Sequence, residues 1–143
     1  MERKEFTENL LKIAFAATVC DGDIDDSELE VIHALKDEDF YLKDEDLSEV
    51  LNGYEKDAAD SFLDFASNTL KECYNLDFTA TEKMIVMKLA IAVVRADGKI
   101  EEEEISFIKS LMLNLQIPEE IVIAANGNWW IIQNTRDLNK PKE

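Results

Sequence analysis

Apolar residues recur along this chain at helical spacing almost from end to end, and the strict alternation of a half-buried strand is nearly absent. Proline and glycine, the residues that punctuate structure, number only two and four. The pattern predicts an all-α chain with helices over Glu5–Cys20, Asp26–Leu35, Glu45–Leu51, Asp57–Tyr74, Glu82–Ala96, Glu102–Leu115 and Glu119–Ala125. Start and stop signals support these spans. Asp25 before Glu28, and Thr79 before Glu82, have the oxygen-then-glutamate spacing of a capping box. Gly22, Gly98 and Gly127 each follow a helical stretch, where a left-handed residue commonly ends a helix. Pro118 fits the first turn of the last helix, where its missing N–H costs little. Seven helices with brief loops predict one compact bundle over residues 1–134, followed by a polar tail at 135–143.

The chain also matches itself at an offset of 76 residues. Leu10–Leu35 reads LLKIAFAATVCDGDIDDSELEVIHAL, and Val86–Leu111 reads VMKLAIAVVRADGKIEEEEISFIKSL. Identities include Ala14/Ala90, Asp21/Asp97, Gly22/Gly98, Ile24/Ile100, Glu28/Glu104 and Ile32/Ile108. Each copy predicts an apolar helix, an Asp-Gly turn, an isoleucine and a second helix that opens with acids, so the two hairpins form a pseudo-twofold repeat. Alanines let the helices approach closely, and the glycine takes positive φ without steric cost. The isoleucine can plug the turn. The aspartate can accept hydrogen bonds from free N–H groups of the next helix, and the glutamate sits at the favourable end of its dipole. Helix capping alone accounts for such a motif.

An alanine-rich helix running into ADG-x-I-x-x-x-E resembles the TerB family of tellurite-resistance proteins. The module is also similar to the N-terminal helical region of certain membrane-anchored DnaJ-like co-chaperones. The resemblance implies an all-α, pseudo-twofold fold and a cytoplasmic stress-response role. It also implies acidic clusters at the Asp-Gly turns that bind divalent cations. The family's acidic positions fall on Asp21, Glu28, Asp97 and Glu104. Cys20 stands where the second copy has Ala96, and the acidic block Asp37–Asp46 is a further departure.

Charge narrows the partners. With 15 bases against 32 acids the formal net charge is −17, which repels phosphate backbones and anionic lipids and argues against nucleic-acid or membrane-surface binding. Acidity is regional: Asp21–Asp60 holds 16 acids and three lysines, a net of 3 − 16 = −13. This stretch reads as a solvated face, or as a site for a cation or a basic partner. No uncharged run approaches the length that spans a bilayer, and MERKEFTENLL lacks a signal-peptide core. Two cysteines make no disulfide framework, so the reducing cytoplasm is the expected compartment.

The sharpest chemical candidate is a Ca2+ or Mg2+ site. Asp21, Asp23 and Asp25 alternate like the first EF-hand ligands, but the glycine is misplaced and Ile32 stands where a bidentate glutamate belongs. A looser site would use Asp21, Asp23 and Glu28, with a poorer second one at Asp97, Glu101 and Glu104. His33, three residues after Glu30, is the only histidine, too few for a di-iron bundle or a histidine-based triad. Cys20 and Cys73 read as inert core thiols, and Met84, Met87 and Met112 as core fillers. Trp129 and Trp130 either pack back onto the bundle or anchor a partner. The chain is therefore expected to be a non-catalytic acidic interaction module, tuned by a divalent cation. A metal-free electrostatic adaptor for a basic protein is the alternative, and a carboxylate hydrolase is less favoured; a homo-oligomer is left open.

Overall fold

The structure, a computed structural model, describes residues 2–34, 47–96, 98 and 101–117. Among the described residues there are six helices and no strand. They are α1 Arg3–Val19, α2 Asp26–Ala34, α3 Leu47–Asp57, α4 Phe62–Cys73, α5 Ala80–Val94 and α6 Glu102–Leu115. The expected helix at residues 119–125, Gly127 and Pro118 lie outside the described residues.

Helix α1 is the axis of the bundle. From Ile13 to Val19 every residue is buried, as are Phe6, Thr7, Leu10 and Leu11. A helix apolar on all sides needs neighbours on all sides. It packs most extensively on α5 and α4, and also against α2, α3 and α6. Helix α5 is almost as enclosed, burying seven residues between Val86 and Val94. Ala14, Ala16, Ala17 and Ala90 are all at most 1% exposed, so close approach of these helices needs no large side chain to move aside. Burial of each leucine, isoleucine or phenylalanine here contributes about 1.5–3 kcal/mol. The buried threonines donate back to their own helices: Thr7 to the Arg3 carbonyl (2.9 Å), Thr18 to Ala14 (3.2 Å) and Thr69 to Phe65 (2.8 Å). That satisfies their hydroxyls without breaking the core.

Most expected boundaries hold within two residues, and α6 matches its expected span. Gly22 and Gly98 both take positive φ, at 95° and 81°. Thr79 and Glu82 form a reciprocal capping box, with bonds of 3.1 and 2.8 Å. Helix α3 differs from expectation, continuing through Gly53 to Asp57 instead of stopping at Leu51. Tyr54 explains the extension. Its ring packs 6.0 Å from both Phe15 and Phe65, and its hydroxyl donates to the Glu8 carbonyl at 2.9 Å, which offsets the roughly 1 kcal/mol that a helical glycine costs. The start of α4 moves correspondingly from Asp57 to Phe62. A tight turn intervenes, in which Ser61 N–H donates to the Ala58 carbonyl, and the Ser61 hydroxyl then caps α4 through Asp64 N–H (3.1 Å). Helix α6 ends with Gln116 in the left-handed conformation, φ 58°, as Ile117 N–H reaches the Met112 carbonyl, the six-to-one bond of a Schellman motif.

No steric contact restricts a Cβ at either Gly22 or Gly53, so backbone conformation alone sets the sign of substitution. Gly22→Ala should lose about 1 kcal/mol by forcing alanine into positive φ, and Gly53→Ala should gain roughly 0.5–1 kcal/mol. Equilibrium urea unfolding of the two variants reads both changes; shifts of the same sign would contradict this account.

Candidate functional site

Two glutamates enter the core from the first turns of their helices. Glu28 on α2 and Glu104 on α6 are each 2% exposed. Periodicity explains why. Glu28 lies one helical turn before Ile32, and Glu104 precedes Ile108 and Leu111 on the same stripe, all of them fully buried. Each carboxyl therefore heads an inward-facing apolar row.

The two side chains approach each other closely enough that hydrogen bonding to Glu104 is one cause of a raised Glu28 pKa. Two ionised carboxylates repel and cannot bond to each other, so the arrangement favours a proton on the pair. Its location follows from the remaining partners. Glu104 Oε1 accepts from the Glu101 N–H at 2.8 Å, a bond that favours negative charge. Glu28 Oε1 is buried with no partner at all, a poor place for charge. Of the two acids, Glu28 is therefore the one whose protonated form its surroundings favour. Burial above all holds its carboxyl well above the usual carboxylate range, and the bond to Glu104 and the charges of Glu104, Asp25 and Asp21 push the same way.

The other candidate residues are dispersed. Asp21 and Asp23 are exposed at the Asp-Gly turn. Asp21 Oδ1 accepts from Asp23 N–H (3.1 Å), so it braces the turn instead of reaching α2. Capping of α2 falls to Asp25, whose Oδ1 accepts from Glu28 N–H at 3.1 Å. Ile24 packs against the core beneath the turn. Glu101 is exposed at the start of α6. Asp97, the acidic block Asp37–Asp46, Trp129 and Trp130 lie outside the described residues. Among the described residues no three His, Cys, Asp or Glu side chains are arranged to hold a metal ion. What the structure joins is one acid from each group of expected ligands.

Both thiols are buried. Cys20 adjoins the glutamate pair, and its thiol contacts the Glu103 carbonyl at 3.9 Å. Burial, then the charges of Glu104, Asp21 and Glu28, raise its pKa far above the ordinary thiol value. Burial likewise pushes Cys73 up to about 12, with the Glu72 charge acting in the same direction. Neither thiol is an available nucleophile at neutral pH. His33 is half-buried beside Leu29, Leu51 and Glu55. Met87 and Met112 are buried, with Met84 packed against the core.

Sequence periodicity contained the signal for the glutamate pair. An acid one turn ahead of an isoleucine on an inward row will be drawn inside wherever the helix start is pressed against the core.

Because the folded-state pKa of Glu28 is raised, its stabilising contribution is complete below the ordinary carboxylate range and is lost as pH rises toward the raised value. In chelator-containing buffer the wild type should lose stability relative to Glu28→Gln from about pH 6 to about pH 8, by up to about 1.4 kcal/mol per pH unit for one proton. Parallel stability curves for the two proteins across that range would contradict a protonated Glu28. A thiol-reactive dye should label neither cysteine of the folded protein at neutral pH, and both after denaturation. Rapid labelling of Cys20 in the folded state would overturn its assignment as an inert thiol.

Among the described residues no helix is long and apolar enough to cross a membrane. Comparison with curated proteins and with solved structures returned no match. A family model described as tellurite resistance protein TerB matches residues 5–126. The match takes in α2 to α6, all but the first two residues of α1, and both Asp-Gly sequences; it speaks for TerB and carries nothing on the co-chaperone module. Covering most of the sequence, it places this chain in the TerB family.

Proposed function

We propose that this chain is a non-catalytic, acidic interaction module of a tellurite-type stress-resistance system, whose fold is tuned by Ca2+ or Mg2+ at the Glu28–Glu104 pair. The observation that carries the reading is the buried Glu28 Oε1, which has no hydrogen-bond partner, on a side chain whose nearest acidic neighbour is Glu104. Hard cations take carboxylate oxygens, and two carboxylates with carbonyls or water are a suitable donor set. Glu28 and Glu104 would be the ligands, with Asp21 contributing through its nearby charge. A bound divalent cation supplies positive charge that cancels carboxylate repulsion in place of the shared proton. Glu28 and Glu104 would then fix the starts of α2 and α6, and with them the acidic face around the Asp-Gly turn. The match of Glu28 with Glu104 in the sequence repeat is in keeping with a joint role for the two helix starts.

Two features favour a non-catalytic role. Glu28 has the raised pKa that a carboxylate hydrolase requires, yet at 2% exposure it is sealed from substrate. The thiols are similarly inert.

The second reading, a metal-free electrostatic adaptor, draws support from the absence of a three-ligand cluster among the described residues. It also fits the net charge of −17. Under it, binding of a basic protein would weaken steeply with salt and ignore chelator.

Calorimetric titration of chelator-stripped protein with Ca2+ and then Mg2+ separates the two readings. Tuning by a cation predicts saturable binding, with about 2.7 kcal/mol of added stability at a hundredfold excess over Kd. Glu28→Gln and Glu104→Gln should abolish the binding while leaving the protein folded. No heat and no rise in Tm would remove the cation from the proposal and leave the adaptor.

A further inference from the structure

Between α4 and α6 the surface opens into a cleft of about 550 Å³. Its walls are regular. Leu63, Ser67 and Leu70 line one side at spacings of four and three residues, and Ser106 and Ser110 face them one turn apart. Each wall thus runs along one to two helical turns, about 5–10 Å at 1.5 Å per residue. Small side chains leave the space, and Phe107 (4% exposed) with Cys20 closes its floor.

Two properties distinguish this cleft from a packing defect. Leu63, on its wall, is 55% exposed; among the described residues the other large exposed hydrophobic side chains are Tyr74 and Leu113, neither of which lines it. At the α6 N-terminal end stand Glu102 and Glu103, both exposed, and no lysine or arginine is among the described lining residues. The site therefore offers apolar area beside negative charge, with no basic side chain among its described lining residues.

We propose that the α4–α6 cleft is a docking groove for a cationic amphipathic helix of a partner protein. Apolar side chains of that helix would enter between Leu63 and Phe107, and its lysines or arginines would meet Glu102 and Glu103. A groove between two helices is a recurrent seat for a third. A second copy of this chain is a poor occupant, since both carry −17. The inference rests on the interaction-module reading and adds to it a surface and a partner chemistry.

The test uses a designed peptide of about 18 residues, leucine on one helical face and lysine on the other, long enough to form a helix when bound. An oligolysine of equal charge is the comparator, and binding is followed by calorimetry and amide NMR at about 150 mM NaCl. The groove predicts binding at least roughly tenfold tighter for the leucine–lysine peptide, a factor ascribable to apolar contact. It also predicts shifts concentrated at Ser67, Ser106 and Ser110. Leu63→Glu and Glu103→Lys, both at exposed positions, should each weaken binding by about tenfold. Glu30→Lys, the same charge change on an exposed site of α2, should alter it by less than about twofold. Equal affinity for the two peptides, or shifts lying elsewhere, would overturn the groove and leave an adaptor that works by charge alone. Absence of binding to either peptide would overturn the groove and the adaptor together, and self-association that competes with the peptide would assign the cleft to a second copy.

Discussion

A helix that is apolar on every side is stable in water only when other helices enclose it, and this fold is organised around two of them. Helix α1 has no polar face from Ile13 onward, and α5 exposes little more than Lys88 and Ala92 in its second half. Neither could lie on a surface. The remaining four helices serve as their cover, which is why short elements such as the nine-residue α2 are ordered by packing more than by propensity. Acids are accordingly displaced to the periphery and to helix first turns.

Glu28 and Glu104 sit where those two tendencies collide. A helix start favours an acid, through its free N–H groups and its dipole. The same helix start is pressed onto α1 and α5, where charge is costly. A shared proton resolves the conflict without a cation, and a divalent ion would resolve it with one. Their surroundings act on Cys20 as well, because the medium that keeps Glu28 protonated also keeps the thiol from ionising. Acid and thiol are thus silenced by one cause, exclusion from water.

Local chemistry was readable in the sequence. The Gly22 and Gly98 turns, the Thr79 capping box and the limits of α6 depend on neighbours a few residues away, and all appear as expected. The length of α3 was not readable. The local pattern ends this helix at Leu51, and its continuation through Gly53 depends on Tyr54 being anchored on α1 and α4, contacts that no local pattern reports. Glu28 and Glu104 look like first-turn acids and ligands of two separate cation sites, because sequence separation hides their meeting. The cleft was hidden for a related reason: Ser67, Ser106 and Ser110 look like ordinary surface serines until the two helices that carry them are set side by side.

The buried carboxyl pair has an evolutionary consequence. Loss of Glu104 alone strands Glu28, whose Oε1 already lacks a partner, whereas loss of Glu28 alone leaves Glu104 its bond from the Glu101 N–H. The two positions are therefore energetically coupled and unequal, because substitution at one changes the cost of substitution at the other. A lineage crosses between the acidic and apolar states through glutamine, whose amide can stand in for the protonated acid. Descendants of this chain should vary at 28 and 104 together, and the order of change is set by which of the two acids holds the proton.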